Sequence, residues 1–504
     1  MLFNSVAFIF VFLPATLLIF FLVAKTSRLA ALCCLTAASL IFYAQTDSRY
    51  LLILIPSILT NYLFGTALSG GRLVTGGRLG DDRRFAVLTI GVAANLACLF
   101  TFKYLDLFID TIDRLHLADF GLLHIELPLG ISFFTFTQIA FLVDAYQRKV
   151  SETGFVNYAL FVSYFPHLVA GPILHHAEMM PQFSDERTFR PRLDNFAVGL
   201  SVFFIGLFKK VIVADHLAPH VHRIFDAAGQ GTRLSALEGW SGALCYALQI
   251  YFDFSGYSDM AIGLSLLFGV RLPLNFNSPY KAVNIIDFWR RWHMMLSRFL
   301  RDYLYIPLGG NRAGEARRLV NVMIVMLLGG LWHGASWTFV VWGGLHGIYL
   351  MANHAWQKLL GERRARSALS VWAGRLLTFL LVTVAWVFFR APTLGTALGV
   401  AKSMFGLDAL PVPADLAGSN LPSSDVAAMA AAALMVAWFM PNTQEIMSLY
   451  HPALSGPRET DPNASRLLWR PTMACAVMVG AAAVASLATL VFEKRVGDFI
   501  YFQF

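Results

Sequence analysis

The stretch LLGGLWHGASWTFVVWGGLHG, Leu327–Gly347, contains no Asp, Glu, Lys or Arg, and its titratable side chains are two histidines, His333 and His346. A segment this apolar does not belong on a water-facing surface, and its repeated glycines interrupt any simple amphipathic helix. It reads as membrane-embedded chain. An ionisable group at membrane depth is expensive to keep there, which makes His333 a functional candidate. The glycines around it allow a backbone or a ligand to approach closely. A neutral imidazole in such a place can accept a proton from a hydroxyl as a general base. The same spacing also fits a helix-packing histidine bonded to a neighbour, and both readings apply to His346 in its own Gly-rich turn.

Working outward, the rest of the chain repeats the pattern. Of its 504 residues 57% are hydrophobic and 14% charged, with a mean hydropathy of +0.60, less charge than a soluble domain needs. Apolar segments of about the 20 residues that a crossing helix requires recur from Ala7–Ala24 to Met473–Phe492. Among them are Leu127–Ala145, Tyr158–Leu174, Ala236–Phe254, Ser258–Val270, Val320–Trp337 and Thr338–Met351. Several are short or broken by Gly or Pro and are expected to re-enter rather than cross. The fold class expected is all-α: a polytopic transmembrane helical bundle of about 10–13 spans with re-entrant and interfacial amphipathic helices. It forms one integral membrane domain over residues 1–504, with a core at 127–392 and C-terminal spans and an aromatic tail at 393–504. No Lys or Arg precedes Ala7–Ala24, so it reads as a retained first span rather than a cleaved leader.

The net charge of +8 is carried by short loops. Arg72, Arg78, Arg83 and Arg84 crowd one loop, and the next carries Asp106, Asp110, Asp113 and Asp119. The basic stretch Gly361–Arg375 and the acidic one at Ala391–Asp425 continue the alternation, and Leu410–Ser424 reads as an exposed linker. By the positive-inside rule the N-terminus lies outside and the Arg72–Arg84 loop inside. The basicity is thus explained without nucleic acid. The five cysteines lack CxxC or Cys/His spacing and read as small packing residues, with no metal site implied. P-loop, Rossmann and GxSxG signatures are missing.

Three more elements could carry chemistry. On a helical wheel, Phe288–Tyr303 sets Phe288, Trp289, Trp292, Met295, Leu296, Phe299, Leu300 and Tyr303 on one face and Arg290, Arg298 and Arg301 on the other. That is an interfacial amphipathic helix with His293 at the edge of its apolar face. Arg290, Arg291 and Arg298 suit the phosphates of an acyl-CoA, or simply rest among lipid headgroups. Tyr251–Gly269 holds Asp253 and Asp259 between apolar runs and reads as a broken helix whose carboxylates orient a histidine, cap helices or pair with Arg. The tail FIYFQF, Phe499–Phe504, is an interfacial aromatic anchor, or else presents Tyr501 as a phenol able to carry an acyl ester.

Four blocks together resemble the alginate O-acetyltransferase branch of the membrane-bound O-acyltransferases. They are SYFPHLVAGPIL (Ser163–Leu174), YFDFSGYSDMAIGL (Tyr251–Leu264), FWRRWHMMLSRFLRDYLYIPLGGN (Phe288–Asn311) and Leu327–Gly347. The N-terminal MLFNSVAFIFVFLP, the late WVFFRAP at Trp386–Pro392 and the terminal FIYFQF are also similar. The resemblance implies a multi-helix fold with a funnel, in which His333 matches the family's key histidine and His293 its second. It further implies an acyl group, usually acetyl, taken from a cytoplasmic donor (acetyl-CoA, with no bound cofactor) and exported across the bacterial inner membrane. A separate extracytoplasmic SGNH-type partner would place it on a polysaccharide acceptor. By the same likeness Tyr501 would hold the acyl group in transit; Asp253, Asp259 and His346, from their own places in apolar chain, are candidates to support the site. Two other classes remain open from sequence: a proton-coupled transporter, and a structural subunit of a polysaccharide export complex.

Overall fold

A computed structural model of the chain describes residues 1–70, 80–150, 154–169, 171–312, 314–360, 367–407, 420–454, 467–493, 497 and 499–500. Arg72, Arg78, most of the Leu410–Ser424 linker, part of Gly361–Arg375 and Tyr501 lie outside them. Among the described residues all regular structure is helical. The expected all-α membrane architecture is therefore the one found.

The bundle is organised around one helix, Ala236–Leu267, of 32 residues. Ser235 starts it with a capping box: its hydroxyl accepts from the Glu238 N–H while the Glu238 carboxylate accepts from the Ser235 N–H. This helix corrects the expectation of a break within Tyr251–Gly269 and of two separate segments there. Gly256 and Gly263 are contact points, not hinges. The helix Leu193–Phe208 lies antiparallel against them, with Gly206 over Gly256 and Gly199 over Gly263. A Cβ added at Gly206 would stand 2.5 Å from the Gly256 carbonyl oxygen, and one at Gly263 2.5 Å from that of Gly199. In lipid, where tails solvate apolar side chains, such backbone approach is what holds helices together. The two carboxylates do not force unwinding either, because the same neighbour supplies their cations. Lys210 pairs with Asp253 at 2.7 Å and Lys209 with Asp259 at 2.6 Å.

Among the described residues five helices are long and apolar enough to cross a membrane: Ser48–Leu68, Asp81–Arg114, Leu193–Gly229, Ala368–Arg390 and Met473–Phe492. Asp81–Arg114 and Met473–Phe492 are buried over only 17% and 11% of their most apolar windows, as expected of lipid-facing elements. The central helix is not among the five. Protein encloses it along most of its length, so it can carry polar residues that a lipid-facing helix cannot.

Two segments read as single elements are broken. Tyr158–Leu174 resolves into Phe155–Ser163, the short turn Phe165–Leu168 and irregular chain beyond it. Phe288–Tyr303 is not one amphipathic helix. Ile285–Trp289 stops, and Met294–Leu300 begins after His293, whose φ is +43°. The wheel was drawn through a point where the chain turns.

The Leu327–Gly347 stretch forms a helical hairpin of Glu315–His333 and Trp337–Leu360. Its glycines again mark backbone contact: a Cβ on Gly330 would lie 2.3 Å from the Phe339 carbonyl oxygen, and one on Gly343 2.2 Å from that of Met326. Gly263→Leu should destabilise the purified protein by several degrees of thermal midpoint, consistent with overpacking penalties of about 1–3 kcal/mol. Gly480→Ala, where an added Cβ meets nothing within 4 Å, should be neutral or slightly stabilising in the same thermal-shift measurement.

Candidate active site

His333 is the last residue of its helix. Gly334 follows in extended conformation, with φ −168° and ψ 152°. The Ser336 hydroxyl then accepts from the Thr338 N–H at 3.3 Å as the return helix begins. A helix end leaves carbonyls without intrahelical partners, and here no lipid can serve them. Lys103 does. Its Nζ donates to the Trp332 carbonyl at 2.6 Å, the His333 carbonyl at 3.4 Å and the Ser132 hydroxyl at 3.1 Å. Tyr104 donates to the Leu331 carbonyl at 3.1 Å. A cation against the negative end of a helix dipole is favourable. Lys103 and Tyr104 end the π-helical turn Phe100–Tyr104 within the Asp81–Arg114 helix. Sequence reasoning missed both. The available signal was a lysine directly after an apolar run, which ends at Phe102.

His293 is held by a different device. Asn275, fully buried, accepts the Met294 N–H on its main-chain oxygen at 2.9 Å. Its side-chain Oδ1 accepts the Met295 N–H at 3.3 Å and lies 3.2 Å from His293 Nδ1. An Oδ1 that accepts calls for a proton on Nδ1, which makes Nε2 the basic nitrogen of the neutral ring. Asn277 braces the same turn by donating its N–H to the Arg291 carbonyl at 2.9 Å. Asn275 was not foreseen, because nothing in a loop asparagine says which backbone it will meet.

The fold brings the two histidines together. Their ring centroids are 6.3 Å apart and both side chains are buried. Trp332 borders both rings, at 4.9 Å from His333 and 6.0 Å from His293. Trp342 and Phe389 complete the wall at His333, at 5.1 and 5.2 Å, and Phe254 packs on His293 at 4.9 Å. The indole N–H groups of Trp332 and Trp342 have no hydrogen-bond partner among the described residues. His346 lies behind Trp342, 4.8 Å from it and 5.2 Å from Trp289, and neither of its ring nitrogens has a partner among the described residues.

The remaining candidates are placed elsewhere. Arg298 pairs with Glu178 at 2.5 Å and reaches Asp302 at 3.8 Å, and Arg291 pairs with Asp287 at 2.8 Å. Arg290 is the exposed one of the three. The Asp259 carboxylate accepts from Lys209, Thr443 and Gln444. Asp253 takes Lys210 and the main-chain N–H of Ile500. The partners seen for these carboxylates are lysines and polar groups rather than histidine or arginine. Tyr501 is outside the described residues. No group of three or more His, Cys, Asp or Glu able to hold a metal occurs among the described residues.

The family model of the membrane-bound O-acyltransferases matches residues 90–389, which hold Lys103, Asn275, His293, His333 and His346. The chain belongs to the membrane-bound O-acyltransferase family. It is a membrane-bound acyltransferase, which sets aside the transporter and structural-subunit readings. It is 45% identical over 435 residues to a peptidoglycan O-acetyltransferase of Helicobacter pylori, covering 81% of this chain and 80% of that protein. It is 39% identical over 469 residues to a probable alginate O-acetylase AlgI of Azotobacter vinelandii, covering 92% and 88%. A teichoic acid D-alanyltransferase of Bacillus subtilis is more distant, 28% identical over 240 residues, or 46% of this chain and 60% of that protein.

Lys103→Met should loosen the end of the His333 helix. Hydrogen bonds from charged donors are worth about 1.5–3 kcal/mol each, so turnover should fall at least about tenfold while the protein still inserts and purifies as a single species. Turnover at the parental level would separate the cap from the site.

Proposed function

We propose that this acyltransferase takes an acetyl group from acetyl-CoA on the cytoplasmic face and passes it across the inner membrane for O-acetylation of an extracytoplasmic polysaccharide. The observation that carries the reading is the pair of buried imidazoles, His333 and His293, 6.3 Å apart inside an aromatic wall. The names of the similar proteins, which act on peptidoglycan or alginate, support the acetyl group and the glycan class of acceptor.

In this mechanism an acceptor hydroxyl oxygen attacks the thioester carbonyl carbon while His333 takes the hydroxyl proton. The tetrahedral intermediate collapses with cleavage of the C–S bond. The departing sulfur leaves as the free thiol with the proton that His333 held, and the acceptor keeps the acyl group as an ester. His293, fixed by Asn275, positions the donor. The Trp332 and Trp342 indoles are the donors we assign to the carbonyl oxygen as it gains charge, a role in which preorganised N–H groups are effective. Arg290 has the exposure to meet the phosphates of CoA; Arg291 and Arg298 would first have to leave their carboxylate partners. The first acceptor is Tyr501, which hands the acyl group to an SGNH-type partner outside. Asp259 and His346 support the helices that frame the pair.

The test uses purified protein in nanodiscs with radiolabelled acetyl-CoA, following CoA release and label held on the protein. His333→Ala should lower both by about 10²–10⁴-fold, the usual contribution of general base catalysis, and Trp342→Phe by a smaller factor. Tyr501→Phe should abolish retained label. Parental rates in His333→Ala would end the assignment of the base.

A further inference from the structure

The last described residues of the chain, Phe499 and Ile500, do not lie on the outside of the bundle. Phe499 and Ile500 are buried, at 1% and 6% exposure. The Ile500 main-chain N–H donates to Asp253 Oδ2 at 3.1 Å, across 247 positions of sequence. The Phe499 ring lies under the Lys210 ammonium at 4.9 Å and edge-on to Tyr257 at 4.7 Å. Asn4, at the other end of the chain and fully buried, donates its side-chain N–H to the Gly497 carbonyl at 3.2 Å. Lys210 also contacts Asp215 at 2.7 Å, and a Cβ on Gly497 would come within 2.7 Å of an Asp215 oxygen. Three described residues, Gly497, Phe499 and Ile500, thus converge on one ionic centre made by Lys210, Asp215 and Asp253.

We propose that the Lys210–Asp253 ion pair is the seat of the C-terminal segment, and that both are positioning residues for it. The proposal deepens the reading in which Tyr501 receives the acyl group, and rests on it for its part in the reaction. A buried ion pair adds little net stability over apolar residues of the same size, so its use has to be sought in what it specifies. This pair faces a main-chain N–H and an aromatic face, which together fix the path of the chain immediately before Tyr501. Charged acceptors make the stronger hydrogen bonds to backbone N–H groups. The lysine stands on the π-helical turn Lys209–Ala214, an irregularity that is frequent where helices serve function.

The experiment compares two double variants of the full chain in nanodiscs, each free of the buried ion pair. Lys210→Met with Asp253→Asn keeps a side-chain oxygen for the Ile500 N–H; Lys210→Met with Asp253→Leu does not. Asp215 loses its lysine equally in both. Hydrogen exchange of the Gly497–Ile500 amides is read by mass spectrometry, with the Ala236–Leu267 amides as the fold control. Protection in the Asn pair should fall below the parent's, because the charged acceptor and the Lys210 ammonium over Phe499 are gone. The Leu pair should exchange at least about tenfold faster than the Asn pair, the effect of losing one buried hydrogen bond. An Asn pair as protected as the parent would overturn the part given to Lys210. Equal protection in the two pairs, high or low, overturns the proposal. Ile500→Pro removes the donor without touching the ion pair and carries the same test if the Leu pair fails to insert: faster exchange at Gly497 and Phe499 supports the seat, unchanged exchange overturns it. Label retained on Tyr501→Phe would remove the relay while leaving the exchange result intact, so the two ideas fail separately.

Discussion

A helix that ends inside a membrane must find partners for its last carbonyls within the protein, because neither water nor lipid can provide them. The rest of the site depends on how this chain meets that demand. The Glu315–His333 helix stops at the histidine, and the Lys103 ammonium and Tyr104 hydroxyl take up the oxygens of Leu331, Trp332 and His333. The imidazole is thereby delivered at a helix terminus, pointing into protein and not along a lipid-facing flank. The same lysine lies 5.9 Å from the Trp332 ring centroid, so the cap also steadies the indole between the two histidines.

The pattern recurs at His293. There the backbone is held at positive φ, a conformation that costs a non-glycine residue some strain, and Asn275 supplies main-chain and side-chain acceptors to the two N–H groups that follow, Met294 and Met295. Each histidine is therefore set by a break in secondary structure whose freed groups are bonded by a residue distant in sequence. Soluble enzymes often place reactive side chains on loops over a rigid scaffold. A membrane protein has less licence for loops, and this chain uses helix ends instead.

What could be read in the sequence follows from the same physics. Apolar length identified a membrane bundle, and the cost of a buried histidine singled out His333. His293 needed the resemblance as well as its arginine neighbours. Glycine was ambiguous. Tyr251–Gly269 reads as broken, yet its Gly256 and Gly263 are contacts within one helix, because the deciding partner, the Leu193–Phe208 helix, is remote in sequence. Arg298 of the expected donor site was legible as a charge but not as the partner of Glu178, which comes from another element. Lys103 and Asn275 bond mainly to backbone, and backbone demand leaves no mark on residue type until the fold is known.

The antiparallel contact between Leu193–Phe208 and Ala236–Leu267 has a consequence for how such chains can vary. Its glycine pairs and its two lysine–carboxylate pairs are spaced along one rigid helix. Adding or removing one residue between Asp253 and Gly263 would turn everything beyond by about 100°. Either the glycines would lose each other or the carboxylates would swing away from Lys209 and Lys210. Substitution is open to this stretch wherever volume allows, but insertion and deletion are not. Descendants of this chain should keep its length here to the residue, even where little of its sequence survives.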